Sequence, residues 1–308
     1  MRVSLYGAGQ LNGNVARVLA ARAGVEVLGP FGRAERDAAL GTGADVVVIA
    51  TTSFLADVAA DVGTAVAAGS NVIVSAEEAA FPAAADAALA AELDALARAG
   101  GVTVLGAGLN PGFAFDALVL TATGVAWDVE SLWIERVVDL SGFGATVLRR
   151  IGIGYTAAEF AAGTARGTIT GHLGFPQSMR VVADRLGVAL ERIDRTIEPV
   201  LAERPYATAH LAVPAGTTAG FHQRYVGIAN GRPWFEAIFD GHLDPAGQGR
   251  PPRDEILVRG STPVRFVVEP GFNPQVGAPA VIANSLPRVI AAEPGWRTVG
   301  ELPPACPW

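Results

Sequence analysis

Residues 2–13 read RVSLYGAGQLNG: a short β-rich run, Arg2–Tyr6, breaks on Gly7, and a helical pattern follows as far as Ala23. Reading outward, Val25–Leu28, Asp45–Ala50 (DVVVIA), Asn71–Val74 and Val102–Leu105 are strand-like. Phe54–Ala68 and Ala83–Ala99 are helical, the second stopped by Gly100-Gly101. DVVVIA is the near-continuous apolar run expected of a parallel strand buried on both faces. Strands alternating with helices predict βαβ units and a doubly wound parallel sheet.

The pattern changes after about residue 120. Ser131–Asp139, Thr208–Val213, His222–Ile228, Trp234–Phe239 and Ile256–Val258 are β-like and spaced as in an antiparallel sheet. Ala157–Ala165, Pro176–Leu186 and Ala189–Thr196 read as helical. Residues 240–254, DGHLDPAGQGRPPRD, read as an exposed loop that carries His242. Ala280–Ala292 is helical again. The expected architecture is α/β. Residues 1–120 form a Rossmann dinucleotide-binding domain with 275–308 packing back on it. Residues 121–274 form an α+β substrate and dimerisation domain with a mainly antiparallel sheet.

Composition narrows the function classes. The 308 residues suffice for about two domains, and half are apolar. No apolar run reaches the ~20 residues of a membrane span, and the N-terminus enters a strand with no basic-then-apolar leader. A net charge of −7 without a basic stripe excludes nucleic acid as the expected partner. One cysteine, Cys306, cannot form an internal disulfide or a cysteine-rich metal site, so a cytoplasmic location is expected. The four histidines, 172, 210, 222 and 242, show no metal-ligand spacing, and no metal is expected. All 23 basic residues are arginine, which rules out a lysine Schiff base or lysine general acid.

Gly7, Gly9 and Gly13 form GxGxxxG between a strand and a helix. The first glycine permits the turn and the second lets backbone approach a pyrophosphate. The helix N-terminus then offers free N–H groups and partial positive charge. Gly7, Gly9, Gln10, Leu11, Asn12 and Gly13 are therefore candidate cofactor contacts. A ribose 2′-OH is usually held by an acid at the tip of the second strand. Here that tip reads Gly29-Pro30-Phe31-Gly32-Arg33, with Arg36 beyond. Either arginine suits a 2′-phosphate, so the expected cofactor is NADP, with NAD the alternative. Thr51 and Thr52, past the third strand, are candidate polar lining, as are Ala76 and Asn110 past the later strands.

Ligands of open α/β sheets bind beyond the carboxyl ends of the strands. NVIVS leads into Ala76-Glu77-Glu78, and the next strand into Gly106-Ala107-Gly108-Leu109-Asn110-Pro111-Gly112-Phe113. Glu77, first after its strand, is the candidate catalytic carboxylate, able to take a proton and stabilise an adjacent cation. Glu78 reads instead as an acid at a helix start.

Several further stretches carry a resemblance. GAGLNPGF (106–113), ERVVD (135–139), IGIGYTAAEF (151–160), GHLGFPQS (171–178), TIEPV (196–200) and PGWRTVGELP (294–303) resemble the native amine dehydrogenases. They are similar also to the related 2,4-diaminopentanoate dehydrogenases, within the dihydrodipicolinate-reductase-like group. The resemblance covers most of the chain. It implies NAD(P)-dependent oxidative deamination of a primary amine, or in reverse the reductive amination of a small ketone or aldehyde with ammonia. It also implies a carboxylate at the Glu77 position, a homodimer, and an active site in a cleft between domains. Leu109, Phe143, Tyr155 and His172, on the motif-bearing loops, are candidate pocket walls.

Two departures from that pattern bear on cofactor preference: the first turn is one residue longer than GxGxxG, and Gly29 stands where a polar residue is expected. Competing readings are another NAD(P)-dependent reductase of the same group and an NADP sensor without turnover. The His-His…Lys motif of dihydrodipicolinate reductase is absent. The Glu-Lys-Pro motif of sugar-type dehydrogenases is replaced by Glu77-Glu78-Ala79.

Overall fold

A computed structural model describes residues 1–308. In chain order the elements begin β1 (Arg2–Tyr6), α1 (Gln10–Ala20), β2 (Glu26–Phe31), α2 (Arg36–Leu40), β3 (Val46–Ile49), α3 (Leu55–Ala67), β4 (Asn71–Val74), α4 (Ala87–Ala99) and β5 (Thr103–Gly106). There follow α5 (Ala117–Thr123), β6 (Val129–Asp139), α6 (Ala145–Arg150), α7 (Ala157–Ala165), α8 (Phe175–Arg185) and β7 (Arg192–Leu201). The chain closes with β8 (Tyr206–Ala207), β9 (Ala212–Val213), β10 (Thr218–Ala229), β11 (Arg232–His242), β12 (Arg253–Gly260), β13 (Val264–Val268), α9 (Pro274–Ile290) and β14 (Gly295–Arg297). Two compact units result: Met1–Leu120 with Pro176–Val188 and Asn273–Trp308, and Thr121–Phe175 with Ala189–Phe272.

In the first unit six strands lie in the order β14-β5-β4-β3-β1-β2, every neighbouring pair parallel. Alternation along each strand supplies both faces of this sheet. Val47, Ile49, Val72, Val74 and Val104 are buried with Leu55, Val58 and Val62 of α3, Leu93 of α4, and Trp296. Val3, Leu5, Val46, Val48, Ile73 and Leu105 are buried with Val15 and Leu19 of α1, Ile282 and Leu286 of α9, and Val181 of α8. The strand order reverses between β1 and β3, which opens a crevice at their carboxyl ends. Helix α4 begins at Ala87, not Ala83, because the Asp86 side chain accepts the Ala88 and Leu89 N–H groups and a separate short turn takes Pro82–Ala84.

The second unit is built on a mixed, mostly antiparallel sheet in the order β13-β12-β6-β11-β10-β7. Only β6 and β11 run parallel. The helix expected over Ala189–Thr196 is not formed. Ile193, Thr196, Ile197 and Val200 lie in β7, paired residue by residue with β10. Its position at the sheet edge accommodates Pro199, which has no N–H to donate. Thr208–Val213 is not one strand either. The Thr208 hydroxyl accepts the His210 and Leu211 N–H groups, turning the chain so that only β8 and β9 pair. His242 does not lie in an exposed loop: it is buried at the end of β11, where its Nδ1 accepts the Asp244 N–H at 2.9 Å.

One face of this sheet buries Leu132, Ile134, Phe221, Tyr225, Phe235, Phe239, Ile256 and Val258. The other alternates half-buried Trp133, Ile238 and Leu257 with ion pairs. Glu135 there receives Arg250 at 2.5 Å and Arg253 at 2.6 Å, and Asp240 receives Arg250 at 2.6 Å. His222 Nδ1 stands 2.5 Å from Asp240 Oδ1, a bond that raises the imidazole pKa above its usual 6.5 against the cost of burial.

Two predictions follow from these local arrangements. Asn12 is fully buried, and its Nδ2 donates to the Tyr6 and Gly7 carbonyls at 2.9 and 3.0 Å. Asn12→Ala removes both bonds, leaving the Tyr6 carbonyl only the Ala50 N–H at 2.9 Å, and lowers unfolding free energy by about 1–3 kcal/mol in denaturant titration; an unchanged midpoint contradicts the assigned role. His222, with its raised folded-state pKa, contributes stability that is complete below the unfolded value and lost as pH rises through the folded one. The melting-temperature gap between the native protein and His222→Gln is therefore wider near about pH 5.5 than near about pH 8.5; a gap independent of pH removes the ion pair as its cause.

Candidate functional site

The turn after β1 forms because Gly7 adopts φ +112° and its backbone closes on the next strand. A Cβ there would lie 2.2 Å from the Ala50 carbonyl oxygen and 3.4 Å from Thr51 Cγ2. Gly9 precedes α1 without a side-chain cap, no acidic residue occupies the first helical turn, and a Cβ on Gly9 would meet nothing within 4 Å. The start of α1, with Gln10 and Leu11, therefore presents backbone N–H groups and open space, the cradle a dinucleotide pyrophosphate requires. The residues fit a nicotinamide dinucleotide on that ground. Gly13 is not where helix and strand meet most closely, since a Cβ there is unobstructed. Asn12 faces the strand instead, so the third place of the fingerprint is held by a buried amide rather than by a glycine.

At the tip of β2 the two arginines differ. Arg36 Nε binds Asp61 at 2.5 Å, Nη1 binds Asp37 at 3.0 Å, and Nη2 reaches the Ala60 carbonyl and the Thr64 hydroxyl at 3.2 and 3.1 Å. Its guanidinium is thus bound to α3. The Arg33 side chain is exposed, while its carbonyl accepts the Arg36 N–H. Close by, the Glu35 carboxylate accepts the Gly32 N–H at 2.9 Å. Thr51 lies beside Gly7. Thr52 turns towards α3, its hydroxyl donating to Asp57 at 3.0 Å.

The two adjacent glutamates separate. Glu78 Oε2 accepts the N–H of Leu55, the first residue of α3, at 2.7 Å, and the Glu78 N–H reaches the Ser53 carbonyl at 3.3 Å. Glu78 is a helix-start acid as the sequence suggested, but for α3 rather than for the helix that follows it. Glu77 opens a short turn, Glu77–Ala80, directly beyond β4, with Ala76 buried before it and Glu77 half-buried. The turn rests against Gly106 at the end of β5, where a Cβ would stand 2.2 Å from the Ala79 carbonyl.

The next loop, Leu109–Phe113, is shaped from beneath. Asp116 is fully buried and accepts the Gly112 N–H at 2.7 Å, the Ala117 N–H at 2.7 Å and the Ser178 hydroxyl at 2.9 Å. Burial raises its pKa, opposed by those three bonds and by buried Arg288. Gly112 adopts φ +123°, and a Cβ there would collide with Gly108 at 2.3 Å. Asn110 is half-buried ahead of a cis bond to Pro111. Leu109 is buried in van der Waals reach of Gly277 on α9. Asp116 and its partners escaped the sequence reading; the only hint was an acid three residues past NPGF.

In the second unit His172 sits in an aromatic cluster. Its ring stacks on Phe239 with centroids 4.7 Å apart and tilts against Phe175 at 5.0 Å; Phe239 in turn stacks on Phe221 at 5.4 Å. The Gln223 amide holds the histidine backbone at both ends. It accepts the His172 N–H at 2.8 Å and donates to the His172 carbonyl at 3.1 Å and to the Tyr225 hydroxyl at 3.0 Å. Tyr155 is tied to β10 by the Thr218 N–H at 2.7 Å and lies under the Arg149 guanidinium at 5.4 Å. Phe143 is half-buried in a turn closed by its N–H to the Leu140 carbonyl at 3.0 Å. His172 is thus joined to Phe175, Phe221, Gln223, Tyr225 and Phe239, while Phe143 and Tyr155 sit on separate turns. No cluster of three or more His, Cys, Asp or Glu side chains able to hold a metal forms, and no helix is long and apolar enough to cross a membrane.

Comparison with known proteins shows the family. Residues 113–307 match the model of the 2,4-diaminopentanoate dehydrogenase C-terminal domain. The chain is 32% identical to 2,4-diaminopentanoate dehydrogenase of Acetoanaerobium sticklandii, over 98% of this chain and 93% of that protein. Its fold is similar to that of amine dehydrogenase from Mycobacterium smegmatis, with a TM-score of 0.84 at 22% identity, covering 100% and 97% of the two chains. A more distant likeness, with a TM-score of 0.50 at 14% identity, joins it to DAP dehydrogenase of C. glutamicum over 99% of this chain and 94% of that one. The chain therefore belongs to the 2,4-diaminopentanoate dehydrogenase family, and is an oxidoreductase that acts on amino groups with a nicotinamide cofactor.

Proposed function

We propose that the chain interconverts small ketones or aldehydes, with ammonia, and the corresponding primary amines, using NADP in preference to NAD. The observation that carries the reading is Glu77, a carboxylate on a braced turn at the end of β4, in the unit that holds the Gly7–Gly13 cradle. Its neighbour Glu78 is engaged in starting α3, which leaves the chemical role to Glu77.

Gly7, Gly9, Gln10, Leu11 and Arg33, with Thr51, Ala76 and Asn110, would hold a nicotinamide cofactor, which would supply or accept a hydride at carbon. In the aminating direction ammonia adds to the carbonyl carbon, the carbonyl oxygen leaves as water, and the resulting iminium is reduced to the amine. Glu77 holds ammonia or the iminium by charge and takes the proton released when the nitrogen adds. With no lysine in the chain, water and Glu77 carry the protons. Leu109, Phe143, Tyr155 and His172 are each assigned to face substrate, and their largely apolar character suits small aliphatic substrates over diacids.

A homodimer in the cytoplasm completes the reading. The sheet face that carries half-buried Trp133, Ile238 and Leu257 among ion pairs supports self-association, and lone exposed Cys306 suits a reducing compartment.

Two measurements test the assignment. Glu77→Ala, assayed for NADPH consumption with ketones or aldehydes and ammonium, loses about 100-fold or more of kcat; turnover that persists, or that needs no ammonium, removes the amine dehydrogenase reading. Arg33→Ala raises KM for NADPH about 10-fold or more while leaving that for NADH within about 2-fold, as expected for loss of one charged hydrogen bond. Equal effects on both cofactors remove Arg33 from 2′-phosphate recognition.

A further inference from the structure

We propose that Trp296 is a positioning residue for Glu77, acting through the turn that carries it; the inference rests on the assignment of Glu77 as the catalytic carboxylate. Trp296 lies in β14, more than 200 residues further along the chain, within the PGWRTVGELP stretch. Its indole Nε1 donates a hydrogen bond to the Ala79 carbonyl at 3.0 Å. That carbonyl belongs to the Glu77–Ala80 turn, two residues beyond the carboxylate.

The turn has little to fix it from within. It spans four residues, its preceding residue Ala76 offers no side-chain cap, and a backbone bond runs from the Ala79 N–H to the Ala76 carbonyl at 3.0 Å. Contacts from outside therefore set its place. On one side Glu78 is fastened to the start of α3. On a second, Gly106 lies so close that a Cβ would stand 2.2 Å from the Ala79 carbonyl carbon and oxygen and 2.4 Å from the Ala80 nitrogen. On the third, the Trp296 indole claims the Ala79 oxygen.

The indole is itself rigidly held. Its residue is 8% exposed within the apolar layer formed by Val72, Val74, Val104 and Leu93. Its main-chain N–H donates to Asp94 Oδ1 at 2.8 Å, and β14 runs parallel to β5 with Trp296 opposite Val104. Tryptophan suits this place because it joins a large apolar body to a single N–H donor. A phenylalanine retains the body and deletes the donor, so Trp296→Phe isolates the bond.

The experiment is a double-mutant cycle of Trp296→Phe with Glu77→Gln, read by kcat, by KM for the carbonyl substrate and by amide hydrogen exchange in the peptide spanning residues 76–81. Trp296→Phe is expected to unfold within a few degrees of the native protein, to lower kcat about 10-fold with KM changed less than about 2-fold, and to speed exchange in that peptide. In the Glu77→Gln background the same substitution costs less than about 2-fold, because its effect runs through the carboxylate. Native kcat and native exchange in Trp296→Phe overturn the inference while leaving Glu77 in place. So does a loss that repeats in full in the Glu77→Gln background. Native turnover in Glu77→Gln alone overturns the catalytic assignment itself, and the positioning role falls with it.

Discussion

Gly7 and Ala50 meet backbone to backbone, with no room between them for even a methyl group. This contact joins the end of β1 to the end of β3 at the place where the strand order reverses. It lets the chain turn sharply enough for α1 to begin with its N–H groups facing outward over the sheet end. Asn12 secures the arrangement by capping the Tyr6 and Gly7 carbonyls from the first turn of the helix. The cofactor cradle proposed for this end of the sheet, and with it the role proposed for a carboxylate beyond β4, depends on that closure.

The same sheet end shows a division of labour between pairs of like residues. Of two adjacent glutamates, one starts α3 and the other heads a turn beside the sheet. Of two nearby arginines, one is tied to Asp61, Asp37 and Thr64, and the other stays exposed. In each pair one member builds the scaffold that places the other. Asp116 does similar work for the Leu109–Phe113 loop. It gathers three donors in a fully buried site, where an unpaired carboxylate would be far too costly to retain.

Burial explains which features escaped a linear reading. The helix expected over Ala189–Thr196 became β7 because its Ile193, Thr196 and Ile197 pair with β10, a long-range choice that outweighs a weak local preference. His242 seemed to belong to a Gly- and Pro-rich loop, yet β11 continues to it and the sheet buries it. Gln223, which holds both backbone ends of His172, looked like any polar residue within a strand.

Much of the fold was legible because it rests on local rules: the period of apolar residues, the need for glycine at a positive φ, and the run of β-branched residues in DVVVIA. The place of Glu77 after a strand and the glycine-rich start of α1 were legible for the same reason. Hydrogen-bond partners were not, because a donor and its acceptor meet only when elements far apart in sequence pack together. Tertiary structure alone decided that Glu78 serves α3, that Arg36 is taken by Asp61, and that the indole of Trp296 reaches the carbonyl of Ala79.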